Sequence, residues 1–114
     1  MSNVPKFIDT KTIIVNLLKE DEKTCLSIER LQNLLSFIYV ELWKRKKLCD
    51  YQISFDVNFE AIERTVMYNH EIFALDISGE IIYLRNSQRI NTLAQDYILD
   101  ETISEIIQNF SEVA

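Results

Sequence analysis

Glycine and proline are nearly missing from this 114-residue chain, which holds one of each, Gly79 and Pro5. A phosphate-cradling loop and a dinucleotide fingerprint each need several glycines at fixed spacing, so neither can be built. Histidine is as scarce, with His70 alone. Without a second histidine, a Gly-x-Ser-x-Gly elbow or a Cys-x-x-Cys pair, there is no basis for a hydrolase triad or for a zinc or haem site. The two cysteines, Cys25 and Cys49, flank a segment with the apolar spacing of a helix. A helix of that length spans roughly 30 Å, too far for a disulfide, so both read as idle thiols. No apolar run approaches the ~20 residues that cross a bilayer. Lys6, Asp9 and Lys11 interrupt the N-terminus too early for a signal-peptide core. These absences lead to the expectation of a cytoplasmic protein with no catalytic residue, no cofactor, no metal and no membrane segment.

What is present is ordinary for a folded domain: 47% apolar residues, 26% charged residues and a net charge of −6. One domain with one core fits this length. The acidic balance disfavours nonspecific nucleic-acid binding, which relies on Lys and Arg at phosphates. It suits either a basic protein partner or plain solubility.

Residues 27–48 organise the rest. Ile28, Leu31, Leu34, Leu35, Ile38 and Leu42 recur at three and four and form one helical face. Phe37, Val40 and Trp43 widen the stripe, which predicts a central helix contacted from several sides. Ser27 suits the N-cap, Glu29 the first turn, and Lys44, Arg45, Lys46 and Lys47 the negative end of the dipole.

Before that run, residues 1–8 show no periodicity and read as a loose arm, so the globular domain is expected over 9–114. A short helix should start at Asp9 or Thr10, bury Ile13, Ile14, Leu17 and Leu18, and stop in the charged loop Glu20, Asp21, Glu22, Lys23. After the central helix, Tyr51, Ile53, Phe55 and Val57 alternate with polar residues, as in a strand. Asn58 can cap a third helix with Phe59, Ile62 and Val66 inside and Asn69 at its end. Segments 71–77 and 80–85 read as a β-hairpin across Ser78-Gly79, both faces apolar, one for the helices and one for the C-terminal segment or a partner.

Ser87 suits the cap of a fourth helix with Ile90, Leu93, Ala94, Tyr97 and Ile98 as its stripe. Ile103, Ile106, Ile107 and Phe110 form another stripe, about 220° out of phase at ~100° per residue. Asp100 is a competent N-cap between them, which favours two helices over one. The fold expected is α+β: about five helices, mostly around the central one, with one antiparallel hairpin.

Three surface features are candidates for function, each with a plainer explanation beside it. Lys44, Arg45, Lys46 and Lys47 could meet phosphate or an acidic partner, or simply complement the helix dipole. Asp96, Asp100, Glu101, Glu105 and Glu112 follow Arg89 with no base among them, and could dock on a basic protein or serve solubility. Tyr39, Trp43, Tyr51, Tyr68, Tyr83 and Tyr97 could form an interface, although a small core needs aromatics too. His70 beside Glu71 is not an acid–base pair if strand neighbours face opposite sides. A homodimer is also compatible with these surfaces.

Leu26-Ser27-Ile28-Glu29-Arg30-Leu31-Gln32-Asn33-Leu34-Leu35-Ser36-Phe37 resembles the opening motif of Panacea-domain proteins, a Leu-Thr-Pro-type start leading into Lys-Leu-Gln-Lys-Leu-Leu-Tyr. Leu31, Gln32, Leu34 and Leu35 match as they stand; Arg30 and Phe37 are conservative replacements. The family's Ala-Trp and Gly-Pro-Val are missing, the nearest stretch being Phe59-Glu60-Ala61-Ile62. The resemblance implies an antitoxin-like protein, carried by phages or mobile elements, that neutralises a protein partner by contact. The alternative is a winged-helix-like DNA-binding regulator: three helices and a wing, with Arg64, Arg85 and Arg89 toward phosphates. Glu60 and Glu63 beside Arg64 speak against it.

Overall fold

The Ser27 hydroxyl accepts the Arg30 N–H at 3.0 Å and so starts the longest helix, Ile28–Lys44 (α2). The computed structural model describes residues 4–20, 25–85 and 96–113. Within α2, Ile28, Leu31, Leu34, Leu35, Ile38 and Leu42 are buried, as their spacing predicts. The wider stripe is corrected. Phe37 is half-buried, while Val40 is 47% and Trp43 70% exposed. At ~100° per residue they lie about 160° and 140° around from Ile38, too far to share its contacts.

The end of α2 is also tighter than its lysines suggest. Only Lys44 stands in the last turn; Arg45 is the C-cap, its N–H on the Glu41 carbonyl at 3.0 Å. Lys46 donates to Trp43 O at 3.1 Å and Lys47 to Leu42 O at 2.9 Å, the reversed pairing of a Schellman ending. That ending needs a left-handed residue, and Lys46 supplies it at φ 57°. A short 3-10 turn, Leu48–Asp50, leads on.

On the N-terminal side, Lys6–Asp9 (β1) pairs in parallel with Tyr51–Ser54 (β3), in the register Lys6↔Tyr51 to Asp9↔Ser54. The expected loose arm is therefore ordered from Lys6, and Ile8 is buried. A four-residue strand whose partner lies over forty positions away leaves no local period to read. Asp9 then accepts the Thr12 N–H at 2.8 Å and turns the chain into Thr10–Glu20 (α1). Ile13, Ile14, Val15 and Leu18 are buried there; Leu17 is only half so. Of the loop expected at 20–23, Glu20 instead ends α1, and 21–23 lie outside the described residues.

Beyond β3 the alternation holds, with Tyr51 buried, Ile53, Phe55 and Val57 half-buried, and Gln52, Ser54 and Asp56 exposed. The Gln32 side chain donates to Val57 O at 2.9 Å and fixes this stretch to α2. Asn58 caps Phe59–Tyr68 (α3) by accepting the Ala61 N–H at 2.7 Å. Ile62 and Val66 are inside. Phe59 is not: it is 37% exposed, since a first-turn side chain leans off the N-terminal end of its helix.

The hairpin forms from Phe73–Leu75 (β4) and Ile81–Leu84 (β5), with Gly79 at φ +75°. Asp76 holds its turn, accepting the Ser78 hydroxyl at 2.7 Å and the N–H groups of Glu80 and Ile81 at 3.2 Å. Phe73, Ile82 and Leu84 are buried in the core, whereas Tyr83 on the opposite face is exposed. A third strand, Cys25–Ser27 (β2), pairs antiparallel with β5, so the sheet order is β2-β5-β4. Three residues are too few to show a period of two, and sequence alone read them as the approach to a helix.

Asp100 caps Glu101–Val113 (α4) through the Ile103 N–H at 2.9 Å. Residues 98–100 are not helical, so the C-terminal stripes do not share one helix. Of the fourth helix expected from Ser87, Ile90, Leu93 and Ala94 lie outside the described residues, as do Arg89 and the Glu112 side chain; Tyr97 is half-buried, and Ile98, expected inside, is 77% exposed because the chain there is no longer helical. Asn16 donates to Tyr97 O at 2.7 Å and ties the approach to α4 onto α1. Ile103, Ile106 and Ile107 are buried; Phe110 meets Phe37 with ring centroids 5.4 Å apart. Because Phe110 also lies under Arg30, while Glu105 pairs with Arg45, α4 runs antiparallel to α2. The fold is α+β, with four α-helices among the described residues, none long and apolar enough to cross a membrane.

Replacing Lys46 with glycine should stabilise the domain by about 0.5–1 kcal/mol, the left-handed penalty relieved less the entropy glycine adds to the unfolded chain. Urea unfolding measures it; a lowered midpoint would mean the lysine makes contacts that outweigh its backbone strain.

Candidate partner-binding surfaces

Two charged groups far apart in sequence meet on one region of the surface. The ending of α2 carries Lys44, Arg45, Lys46 and Lys47, and the first turns of α4 carry Glu101 and Glu105. Arg45 Nη2 lies 3.5 Å from Glu105 Oε1, and its Nε lies 3.7 Å from Glu41. Lys44 stands 3.9 Å from Glu41. The basic run and the acidic stretch, read from sequence as separate surfaces, partly neutralise each other. Exposed pairs of this kind contribute about 0–1 kcal/mol each. Lys46, Lys47, Asp96 and Glu101 are exposed and in no ion pair among the described residues.

Asp100 plays a different part from the one its sequence suggests. Besides capping α4, its Oδ2 accepts from Lys6 Nζ at 3.0 Å and from the Tyr51 hydroxyl at 2.5 Å. One carboxylate thereby joins β1, β3 and α4. Partial burial would raise its pKa, but hydrogen bonds from Tyr51, the Ile103 N–H and Lys6 outweigh that and hold it below the usual carboxylate range. Burial, with the hydrogen bond that its hydroxyl donates to Asp100, pushes the Tyr51 phenol up to about 12. Asp100 is a clamp, and reversing its charge would remove a cap and two cross-links at once. Beside the clamp opens a cleft of about 370 Å³ lined by Val4, Lys6, Lys47, Asp50, Tyr51 and Thr102, with the free, exposed thiol of Cys49 at its wall.

The aromatic residues divide. Tyr51 is buried, and Tyr39 and Tyr97 are half-buried, Tyr39 edge-on to Phe55 at 5.3 Å. Trp43, Tyr68 and Tyr83 face solvent. His70 and Glu71 lie in the turn after α3, both exposed. Among the described residues no three His, Cys, Asp or Glu side chains are grouped to hold a metal ion.

Sequence reasoning missed a cleft of about 340 Å³ between α3 and β4. Val66, Met67, His70, Phe73, Leu75 and Arg85 line it, and its wall is mostly apolar. Met67 is 62% exposed, and Tyr68 beside it 79%. The one local signal was an apolar pair directly after the buried Val66, off the helix stripe. A third cleft, of about 360 Å³, opens where Thr10, Ser54, Asp56, Arg64 and Tyr68 converge. It mixes one cation, one carboxylate and several hydroxyls.

No family model, curated protein or solved structure matches this chain.

The clamp gives the stability profile two limbs. Asp100, depressed when folded, contributes above the ordinary carboxylate range, and that contribution is lost as pH falls through its folded value. Tyr51, raised when folded, contributes fully below pH 10, and its share is lost as pH climbs toward about 12. Tyr51→Phe should cost about 1–2 kcal/mol at neutral pH and flatten the alkaline limb. Urea midpoints taken across pH test this; identical alkaline limbs in both proteins would remove the clamp.

Proposed function

We propose that this chain is a protein-binding module that neutralises or inhibits a partner protein by direct contact, in the manner of an antitoxin or a phage-encoded inhibitor. The observation that carries the reading is a finished core with large apolar side chains left outside it. Ile62, Val66 and Phe73 are buried, yet Met67 and Tyr68 on the same helix stand in solvent, as does Trp43 on α2. Folding leaves them exposed, and large aromatic and methionine side chains at the surface are what partner interfaces use.

The resemblance of residues 26–37 to the Panacea opening motif supports the same reading. Its matching leucines, Leu31, Leu34 and Leu35, are core residues, and Gln32 ties α2 to the segment between β3 and α3. The motif thus describes how α2 is packed, and the partner's contacts fall elsewhere. The acidic residues Asp96, Glu101 and Glu105 supply steering toward a basic region of that partner. The exposed free thiol at Cys49 suits a reducing compartment, so a cytoplasmic setting is proposed with it.

One observation favours a second reading, a winged-helix-like DNA-binding regulator. β2 lies between α1 and α2 and pairs with β5, so that once the added parallel pair β1–β3 is set aside the order is helix, strand, helix, helix, strand, strand with sheet order β2-β5-β4. That remainder is the order of a winged helix, although β3 interrupts it between α2 and α3. The charges oppose it: Glu60 and Glu63 accompany Arg64 on α3, and Asp76 and Glu80 sit in the turn a wing would offer to phosphate.

Tagged protein expressed in its source cell should retain one partner at a fixed ratio, and purified chain should suppress that partner's activity stoichiometrically. Glu101→Lys with Glu105→Lys should slow association and reduce its salt dependence with the fold intact. A partner bound with its activity untouched would end the inhibitor reading. Duplex DNA separates the alternative: a regulator binds more tightly as salt falls between about 200 and 50 mM, whereas the protein-binding reading requires no DNA binding at either concentration.

A further inference from the structure

Strand β4 is one edge of the three-stranded sheet, and its hydrogen-bonding parity follows from two bonds. Asp76 N–H donates to Ile81 O, and Arg85 N–H to Ile72 O, both at 3.0 Å. In an antiparallel pair, alternate residues face the partner strand. Residues 72, 74 and 76 therefore turn their backbone groups toward β5, and Phe73 and Leu75 turn theirs to the open edge. Asn69 O takes the Phe73 N–H at 3.0 Å. Phe73 is fully buried, so the edge is closed there; at Leu75, half-buried, the N–H and carbonyl have no partner among the described residues. Such groups form a template for one more strand.

The α3–β4 cleft opens beside this edge. Its volume of about 340 Å³ lies at the low end of ligand-sized pockets, and Val66, Met67, Phe73 and Leu75 make it apolar. Two basic side chains, His70 and Arg85, share the lining, with no acidic one. Arg85 is exposed and in no ion pair among the described residues. Within a chain of net charge −6, this is a local cation awaiting a carboxylate.

We propose that β4 receives an extended segment of a partner protein by strand addition. The segment carries a large apolar side chain for the α3–β4 cleft and a neighbouring carboxylate for Arg85. The backbone N–H and carbonyl of Leu75 set its register, the cleft selects the apolar residue, and Arg85 selects the acid. This is the division of labour in strand-addition recognition generally. The inference deepens the protein-binding reading and rests on it. A second copy of the chain is the less favoured occupant, because two molecules of the same net charge repel.

The probe is a capped hexapeptide of alternating threonine and valine with a central phenylalanine and a glutamate near its C-terminus. Amide exchange followed by NMR on the whole chain reads the edge directly. The Leu75 amide should exchange freely in the isolated protein and slow at least about tenfold when peptide is added, as an amide does on entering a ladder. Ala74, already bonded to β5 by parity, should change little. Arg85→Glu should weaken peptide binding about threefold to fivefold, the worth of an exposed ion pair, and phenylalanine to alanine in the peptide should weaken it further.

A Leu75 amide unmoved by saturating peptide, or shifts centred on another surface, would overturn the proposal. Protection that grows with protein concentration alone would assign the edge to a second copy and overturn the partner segment. Titration of the whole partner against its own activity needs no particular surface. Inhibition there with Leu75 still unprotected would keep the protein-binding role and discard the β4 site.

Discussion

Burial of one apolar face of α2 is the constraint on which the other elements depend. Six aliphatic side chains from Ile28 to Leu42 are withdrawn from water, each worth about 1.5–3 kcal/mol against exposure. No one neighbour can cover that length, so α4, α3 and β2 each take part of it. This gives Phe37 its half-buried state, since α4 brings Phe110 against that flank. It also explains why α4 must be separate from the segment before it. Ile103, Ile106 and Ile107 reach α2 only after a break, and Asp100 both marks the break and caps the new helix.

Asp100 also shows how one carboxylate serves several elements at once. Its cap is local, to Ile103, whereas Lys6 and Tyr51 come from strands far away in the chain. The short parallel pair β1–β3 gives Ile8 and Tyr51 to the core and is fastened to the helical body partly through this group as well. The nearby lysines and glutamates add a weaker mesh in which Arg45 links α2 to α4. A surface that looks bipolar in sequence becomes mixed in space, which lowers its reach toward a distant charged partner. Met67, Tyr68 and Trp43 stand outside this mesh as large exposed apolar side chains.

Much of the architecture was legible along the chain because helix caps and turns are short-range devices. Ser27, Asn58 and Asp100 each accept an N–H three residues on, and Gly79 takes the positive φ its turn demands. Such signals lie within one turn of the residue that gives them. The stripes of α1, α2 and α4 were legible for the same reason. Val40, Trp43 and Phe59 were misread as inner residues because apolar character says that a side chain can be buried and not that a neighbour will be there.

Fold class, caps, central helix and hairpin turn could be read along the chain, because each follows from residues close to one another in it. Contacts across space were needed to make Lys6–Asp9 a strand, to complete a sheet with Cys25–Ser27, and to bring Asp100 against Lys6 and Tyr51. They also decided that α3 and β4 frame an apolar cleft. Each of these depends on the partner that a short segment meets across space, and three or four residues carry too little pattern to name that partner in advance.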